Sequence, residues 1–371
     1  MRFFATAAKG TEPALRDELR ELRFRGVRAD RGGVHFEGDA HEGYRACLWS
    51  RIAVRVLTPL AAFDAPHERA FYDAVRVVDL SEVLTPKQTL VISAAVRSSR
   101  LTHTEYLSQL TKDAIVDRIR DQTGLRPSVD KHAADVHLFV HLVKDVATLY
   151  LDFAGEPLHR RGYRIAGAEA PIKETLAAAV LRYSGWDRKS PIADPLCGSG
   201  TLLIEAGLWA KNLAPGLTRD KFGFERWANF DAAARDKLAA LRAEAQGAVK
   251  PDVPLLVGRD ASAEAVAQTK EAAAKAALTV DVSVQELADH VTFEPSGAIV
   301  ANPPYGRRLE RSSELARELS RLVDRHQQSR VALLMASDQP IGHTRRRPEP
   351  PREVFNGNIP CIVRTWVPRP A

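Results

Sequence analysis

Hydrophobic and polar positions along this chain switch repeatedly between strand-like and helical spacing. Apolar runs at residues 3–7, 34–36 and 52–57 surround a helical stretch at 12–22 and read together as a small α/β unit. A second unit follows, with strand-like runs at 90–96, 135–142 and 148–153 and a helix at 106–122. In that helix Leu107, Leu110, Ala114, Ile115 and Ile119 recur at helical spacing, so the face reads as core. Residues 154–170 are rich in Gly and Arg and read as a linker, ending where Pro171 opens a helix.

The remaining chain alternates buried strands with helices. A strand at 191–194 runs through a glycine turn into a helix at 202–206, a strand at 255–260 precedes an alanine-rich helix at 262–278, and strands follow at 280–284 and 298–300. Residues 211–254 read as an insertion holding Ala214-Pro215-Gly216-Leu217, an aromatic cluster at 222–227 and an amphipathic helix at 230–245. Without the insertion, the order is that of an open parallel sheet, which binds ligands at the C-terminal ends of its strands.

Three motifs fall at such ends. The run Ala298-Ile299-Val300 stops at Asn302-Pro303-Pro304-Tyr305, because neither proline can donate to a ladder and each holds its predecessor extended. The Asn302 oxygen and the Pro303 carbonyl can accept the N–H groups of an exocyclic amine while Tyr305 offers a stacking face. Upstream, Asp194-Pro195-Leu196-Cys197-Gly198-Ser199-Gly200-Thr201 is a glycine turn opening a helix. It lacks the third glycine of dinucleotide binders and the lysine of a phosphate-binding loop. The Asp194 carboxylate repels pyrophosphate but suits an ammonium group, which points to S-adenosylmethionine. Asp260, ending the next strand, is placed to accept ribose hydroxyls.

These words, with Ala-Pro-Gly-Leu at 214–217 and Asn-Pro-Pro-Tyr-Gly at 302–306, resemble the THUMP-domain class I methyltransferases that make N2-methylguanosine in RNA. The likeness extends to Ala170-Pro171-Ile172-Lys173-Glu174-Thr175, to Leu158-His159-Arg160-Arg161-Gly162-Tyr163-Arg164, and to Gly32-Gly33-Val34-His35-Phe36, Leu48-Trp49-Ser50-Arg51 and Lys112-Asp113-Ala114 nearer the start. It covers nearly the whole chain and is nearest the 23S ribosomal RNA guanine-N2 branch, with the tRNA-modifying branch as the alternative. The resemblance implies an α/β fold in which a Rossmann-like class I methyltransferase domain (171–371) follows a ferredoxin-like domain (1–58), a THUMP RNA-binding domain (59–153) and a linker (154–170). It implies cofactor contacts from Lys173, Glu174, Asp194, Cys197, Gly198 and Ser199. Gly200, Thr201, Asp260, Ala261, Gln285 and Asn302 complete that set, with Glu286 competing with Gln285 for the adenine amine. Asn302, Pro303, Pro304 and Tyr305 are the expected catalytic residues; no general base is evident. Adenine-N6 or cytosine-N4 methylation is chemically equivalent at this motif, and an RNA-binding assembly factor without turnover is the non-enzymatic alternative.

Composition narrows the partners. The 371 residues are 45% hydrophobic and 27% charged, ordinary for a globular protein of two or three domains. No apolar run reaches the ~18 residues of a membrane span, and charges follow Met1-Arg2-Phe3-Phe4 too soon for a signal peptide, so a cytoplasmic protein without membrane contact is expected. Cys47, Cys197 and Cys361 show no metal-ligand spacing; Cys197 is expected to pack within the turn and Cys361 within a strand. His137 and His141 share a strand face without a third ligand, so no metal is expected. The net charge of +6 lies entirely in residues 301–371, where 13 Lys and Arg face 7 Asp and Glu, against 40 and 40 in the other 300. A basic rim for RNA phosphates is therefore expected at Arg307, Arg308, Arg311 and Arg345-Arg346-Arg347, with solvated surface charge as the alternative. Arg160, Arg161, Tyr163 and Arg164 are expected either to clamp RNA or to form a plain surface linker.

Overall fold

The computed structural model describes residues 1–130, 133–165, 172–289, 297–305 and 312–368. The first part contains β1 (Arg2–Thr6), α1 (Glu12–Glu21), β2 (Arg25–Asp30), β3 (Gly33–Glu37), α2 (Ala40–Trp49) and β4 (Arg55–Asp64). It continues with α3 (Glu68–Arg76), β5 (Thr89–Arg97), α4 (Thr104–Thr123), β6 (Ser128–Val129), β7 (Val136–Val143) and β8 (Val146–Asp152). The apolar pattern reads as two units here, and in the structure all eight strands form one sheet, ordered β2-β3-β1-β4-β8-β7-β5-β6. The join is β4, which extends to Asp64 and pairs with β1 through Phe4 and Leu57 and with β8 from Asp152 to Val146. Pro59 lies at the register shift in that pairing, where a missing N–H is tolerated. The helix face of α4 is core as the spacing requires: Leu107, Ala114, Ile115 and Ile119 are buried, and Leu110 packs against them.

The second part contains α5 (Glu174–Tyr183), β9 (Ile192–Asp194), α6 (Thr201–Ala210), α7 (Ala232–Gly247), β10 (Leu256–Asp260) and α8 (Ala263–Lys275). Then come β11 (Asp281–Val284), β12 (Ala298–Ala301), α9 (Ser312–Arg325), β13 (Arg330–Ala336), β14 (Arg352–Asn356) and β15 (Ile359–Trp366). The sheet order is β11-β10-β9-β12-β13-β15-β14, parallel from β11 to β13, with β15 antiparallel. From β9 the chain moves outward through β10 and β11, then crosses back to β12 on the other side of β9. That reversal opens a crevice beyond the C-terminal ends of β9 and β12.

The segment between α6 and β10 belongs by sequence to the second sheet and by packing to the first. Ala214, Phe222, Phe224, Trp227, Leu238 and Leu241 share one apolar core with Phe3, Phe36 and Phe153. Phe224 stacks on Tyr44 with centroids 4.1 Å apart, and Trp227 meets Phe153 edge-on at 4.7 Å. The stretch read as a linker is likewise packed rather than loose: Ala154, Leu158, Arg161 and Tyr163 are buried. Helix α5 begins at Glu174; Pro171 lies outside the described residues. No helix among the described residues is long and apolar enough to cross a membrane.

Candidate functional site

The turn after β9 is built largely from its own hydrogen bonds. Gly198 N–H donates to Asp260 Oδ2 at 2.9 Å, Thr269 Oγ1 of α8 donates to the Gly198 carbonyl at 2.7 Å, and Cys197 N–H donates to the Arg259 carbonyl at 2.9 Å. Gly200 has φ +78°, and a Cβ there would come within 2.6 Å of Thr269 Cγ2, so this position excludes larger residues. A Cβ on Gly198 would instead meet nothing within 4 Å, which leaves the outer side of the turn open to a ligand. Thr201 is buried and Ser199 half-buried at the start of α6. Cys197 is buried with its Sγ 3.9 Å from Thr269 Oγ1, and burial pushes its thiol pKa up, as suits a packing residue rather than a nucleophile.

Asp194 is 2% exposed and accepts one hydrogen bond, from Leu196 N–H at 3.1 Å. Desolvation pushes its pKa up to about 8, Asp260 adds to the rise and the Leu196 bond opposes it. A buried carboxylate this poorly compensated fits a cationic ligand group. Asp260 also accepts from Ser262 N–H at 2.9 Å, and a carboxylate retains lone pairs beyond these two bonds. Ala261 follows it, exposed. Gln285 donates its amide to the Asp289 carbonyl at 2.8 Å, which directs the remaining amide oxygen elsewhere as an acceptor; Glu286 is exposed. Lys173 caps α5 and is exposed. Glu174 is buried against Arg164 at 3.0 Å; burial lifts its pKa while Arg164 pulls the other way.

Across the crevice, Asn302 follows the last residue of β12. Its Oδ1 is buried and has no hydrogen-bond partner among the described residues. Pro303 is buried and Tyr305 half-buried. Two residues that sequence reasoning did not single out hold this turn. Gln339 donates its amide to the Pro304 carbonyl at 3.1 Å, while its own oxygen accepts from Ala336 N–H at the end of β13. Asn356 donates to the Tyr305 hydroxyl at 2.6 Å. Their signals were weak ones: Asp338-Gln339-Pro340 ends the strand beside β12, and Asn356-Gly357 is a hairpin dipeptide.

The RNA clamp expected at 160–164 is corrected. Arg161 is 2% exposed; its Nη1 donates to the Leu158 carbonyl, its Nη2 to the Arg51 carbonyl, and its Nε lies 3.5 Å from Glu205 of α6. Tyr163 is buried and donates its hydroxyl to Glu205 at 3.0 Å, so neither residue is available to RNA. Arg164 is engaged by Glu174, and only Arg160 is exposed, beside Glu156. The physical reason is packing: this segment wedges between the first sheet and α6 and must pair its charges there. Arg346, expected in the basic rim, is also buried, donating to the Ser329, Val367 and Val323 carbonyls. Arg307, Arg308 and Arg311 lie outside the described residues.

Comparison with known proteins matches residues 161–364 to the model of an RMKL-like methyltransferase domain, 2–57 to an RlmL ferredoxin-like domain and 66–152 to a THUMP domain. A curated relative named ribosomal RNA large subunit methyltransferase K/L, from Syntrophotalea carbinolica, is 42% identical over 85% of this chain. The chain spans about half (46%) of that relative's length. Among solved structures, SMU.472, a putative methyltransferase complexed with SAH, is 28% identical and covers 100% of this chain and 98% of its own, with a TM-score of 0.88. A predicted N6-adenine-specific DNA methylase from Listeria monocytogenes is 30% identical, covering 99% and 96%, with a TM-score of 0.84. With sheet order, crevice and matched domains in agreement, the chain belongs to the RMKL-like methyltransferase domain family.

Proposed function

We propose that the protein is an S-adenosylmethionine-dependent RNA methyltransferase that modifies the exocyclic N2 of a guanosine in 23S ribosomal RNA. The observation that carries this reading is the buried Oδ1 of Asn302 at the sheet's crevice, which has no hydrogen-bond partner among the described residues. A buried amide oxygen without a donor costs about 1–3 kcal/mol, which an incoming N–H group recovers. The residues fit the cofactor: buried Asp194 meets the ammonium group, Asp260 has lone pairs for ribose hydroxyls, and Gln285 keeps an acceptor for adenine. S-adenosylmethionine, when bound, supplies an electrophilic methyl group on a sulfonium.

Guanine N2 is a weak nucleophile because its lone pair is delocalised into the ring. Asn302 Oδ1 and the Pro303 carbonyl accept its hydrogens, orient it and draw off the positive charge that develops on it. The Pro304 carbonyl accepts from Gln339, which steadies the turn. Tyr305 contributes its ring as a stacking face. The base must leave its stack to reach a sheet edge, so an unpaired or flipped guanosine is required. In this reading residues 1–58 and 59–153 hold RNA, 154–170 connect, and 171–371 carry the chemistry, and the protein acts in the cytoplasm.

The name of the Syntrophotalea relative and the THUMP match support RNA over DNA, and ribosomal RNA over tRNA. The Listeria neighbour's description favours adenine N6 as the competing product. Incubating the protein with methyl-labelled cofactor and separate pools of unmodified rRNA, tRNA and DNA, then digesting to nucleosides, decides between them. Label in N2-methylguanosine from 23S rRNA is expected; N6-methyladenosine, or label confined to tRNA, overturns the reading.

A further inference from the structure

The hairpin of β14 and β15 reaches the same sheet edge as the Asn302 turn, because Ala336 at the end of β13 pairs with Cys361 near the start of β15. From the tip of that hairpin Asn356 donates to the Tyr305 hydroxyl at 2.6 Å. Cys361 lies against the same hydroxyl: burial raises its thiol pKa, and the hydrogen bond with Tyr305 partly offsets the rise. Tyr305 is therefore fixed at both ends, by its backbone after two prolines and by its hydroxyl.

The other side of the hairpin is held by the N-terminal part of the chain. β14 is the edge strand of its sheet, and an edge strand has one row of free backbone groups. Here Phe355 N–H donates to the Lys9 carbonyl at 3.0 Å, and Lys9 Nζ stands 3.8 Å from the centroid of the Phe355 ring. The neighbouring Gly10 carbonyl accepts from Tyr183 of α5 at 2.8 Å. Gly10 has φ +88°, and a Cβ there would fall 2.1 Å from the Glu353 carbonyl oxygen, so only glycine allows the loop this close.

We infer that Asn356 is a positioning residue through which the Lys9-Gly10 loop of the RNA-holding part sets the Tyr305 ring for the target base. The inference rests on reading Tyr305 as the stacking face. The chain of contacts is short and rigid: loop carbonyl to Phe355, one peptide to Asn356, one hydrogen bond to Tyr305. It registers the part that holds RNA against the ring that meets the base, so that an RNA docked on the first sheet finds Tyr305 in one place.

The test uses the full chain, and its kinetic cycle compares the parent, Asn356→Ala, Tyr305→Phe and the double variant. Single-turnover methyl transfer to RNA is read at saturating cofactor and RNA. Asn356→Ala should be slower by about tenfold, a fraction of what a 1 Å misplacement can cost. Cofactor affinity by calorimetry should not change. The double variant should be no slower than the slower single one, because one hydrogen bond is lost only once. Asn356→Asp, whose carboxylate accepts from the tyrosine hydroxyl, should recover most of the rate. Single losses that multiply in the double variant overturn the role of Asn356. For the loop, 3-fluorotyrosine at position 305 gives a fluorine resonance that Gly10→Ala should shift, and Lys9→Ala should shift less. An unmoved resonance in a folded Gly10→Ala protein overturns the link. The resonance needs no RNA, so it separates this inference from the choice of substrate.

Discussion

The turn after β9 and the turn after β12 leave one sheet edge, but each presents a different kind of interaction. Around Gly198 the backbone groups are met by Asp260, Thr269 and Arg259, and what the turn presents is charge: Asp194 is buried and accepts from Leu196 N–H. Around Asn302 the group is neutral: a buried amide oxygen that has no hydrogen-bond partner among the described residues. The two groups sort two ligands. A carboxylate of this kind selects an ammonium group, while a neutral acceptor favours an amine that carries N–H but little positive charge before reaction. Placing both on neighbouring strands brings methyl donor and acceptor together without either competing for the other's site.

Removing the neutral acceptor should have the largest effect. Asn302→Ala should slow single-turnover transfer by about a hundredfold or more, the scale of losing one preorganised polar contact in a transition state. Its cofactor affinity, measured by calorimetry, should stay close to the parent's. A variant that transfers methyl at the parent rate would reduce the Asn302 turn to a strand stop.

Removing the buried carboxylate should do the reverse. Asp194→Ala should weaken cofactor binding by about 1.5–3 kcal/mol, the usual worth of a hydrogen bond to a charged group. Equal affinity in a folded variant would mean that the ammonium group is held elsewhere.

A smaller loss is expected at Gly200, where an alanine would meet both a left-handed backbone and Thr269 Cγ2 at 2.6 Å. Gly200→Ala should cost about 1–3 kcal/mol in denaturant unfolding. Adding Thr269→Ser removes the methyl group but keeps the hydroxyl, so it should recover part of the loss and leave the backbone strain.

The finest test is the pH dependence of the ligand-free protein. The Asp194 pKa rises from 3.8 to about 8 on folding, so between these values the folded state binds more protons than the unfolded one. Its contribution to stability therefore falls as pH rises from about 4 to 8. Asp194→Asn abolishes that contribution, and the variant's melting temperature should gain on the parent's between pH 5 and pH 8. A constant difference across that range would mean that Asp194 titrates normally.

Strand-ending motifs were legible because they are local. The prolines after Asn302, the glycines after Asp194 and the acid at Asp260 each impose a backbone or a charge within a few residues, and the parallel alternation of strands and helices fixed the edge they share. Elements without a strong apolar period escaped: β2 alternates weakly and α2 depends on its Asp39 cap, which accepts from Glu42 N–H at 3.2 Å. The fusion of eight strands into one sheet also escaped, because the length of β4 depends on the partners it finds in β1 and β8.

What the sequence determined by itself was therefore the chemistry presented at each strand end and the order in which those ends occur. What only the tertiary structure decided was which polar groups are already taken. Arg161 and Tyr163 read as an RNA clamp or a plain surface linker until Glu205, some forty residues away, is brought beside them and their burial demands pairing. Gln339 and Asn356 read as ordinary turn residues until the sheet places them against Pro304 and Tyr305. A charged or amide side chain has the same composition whether it faces solvent or a buried partner. Desolvation separates the two, and it depends on residues that meet only when the chain has folded.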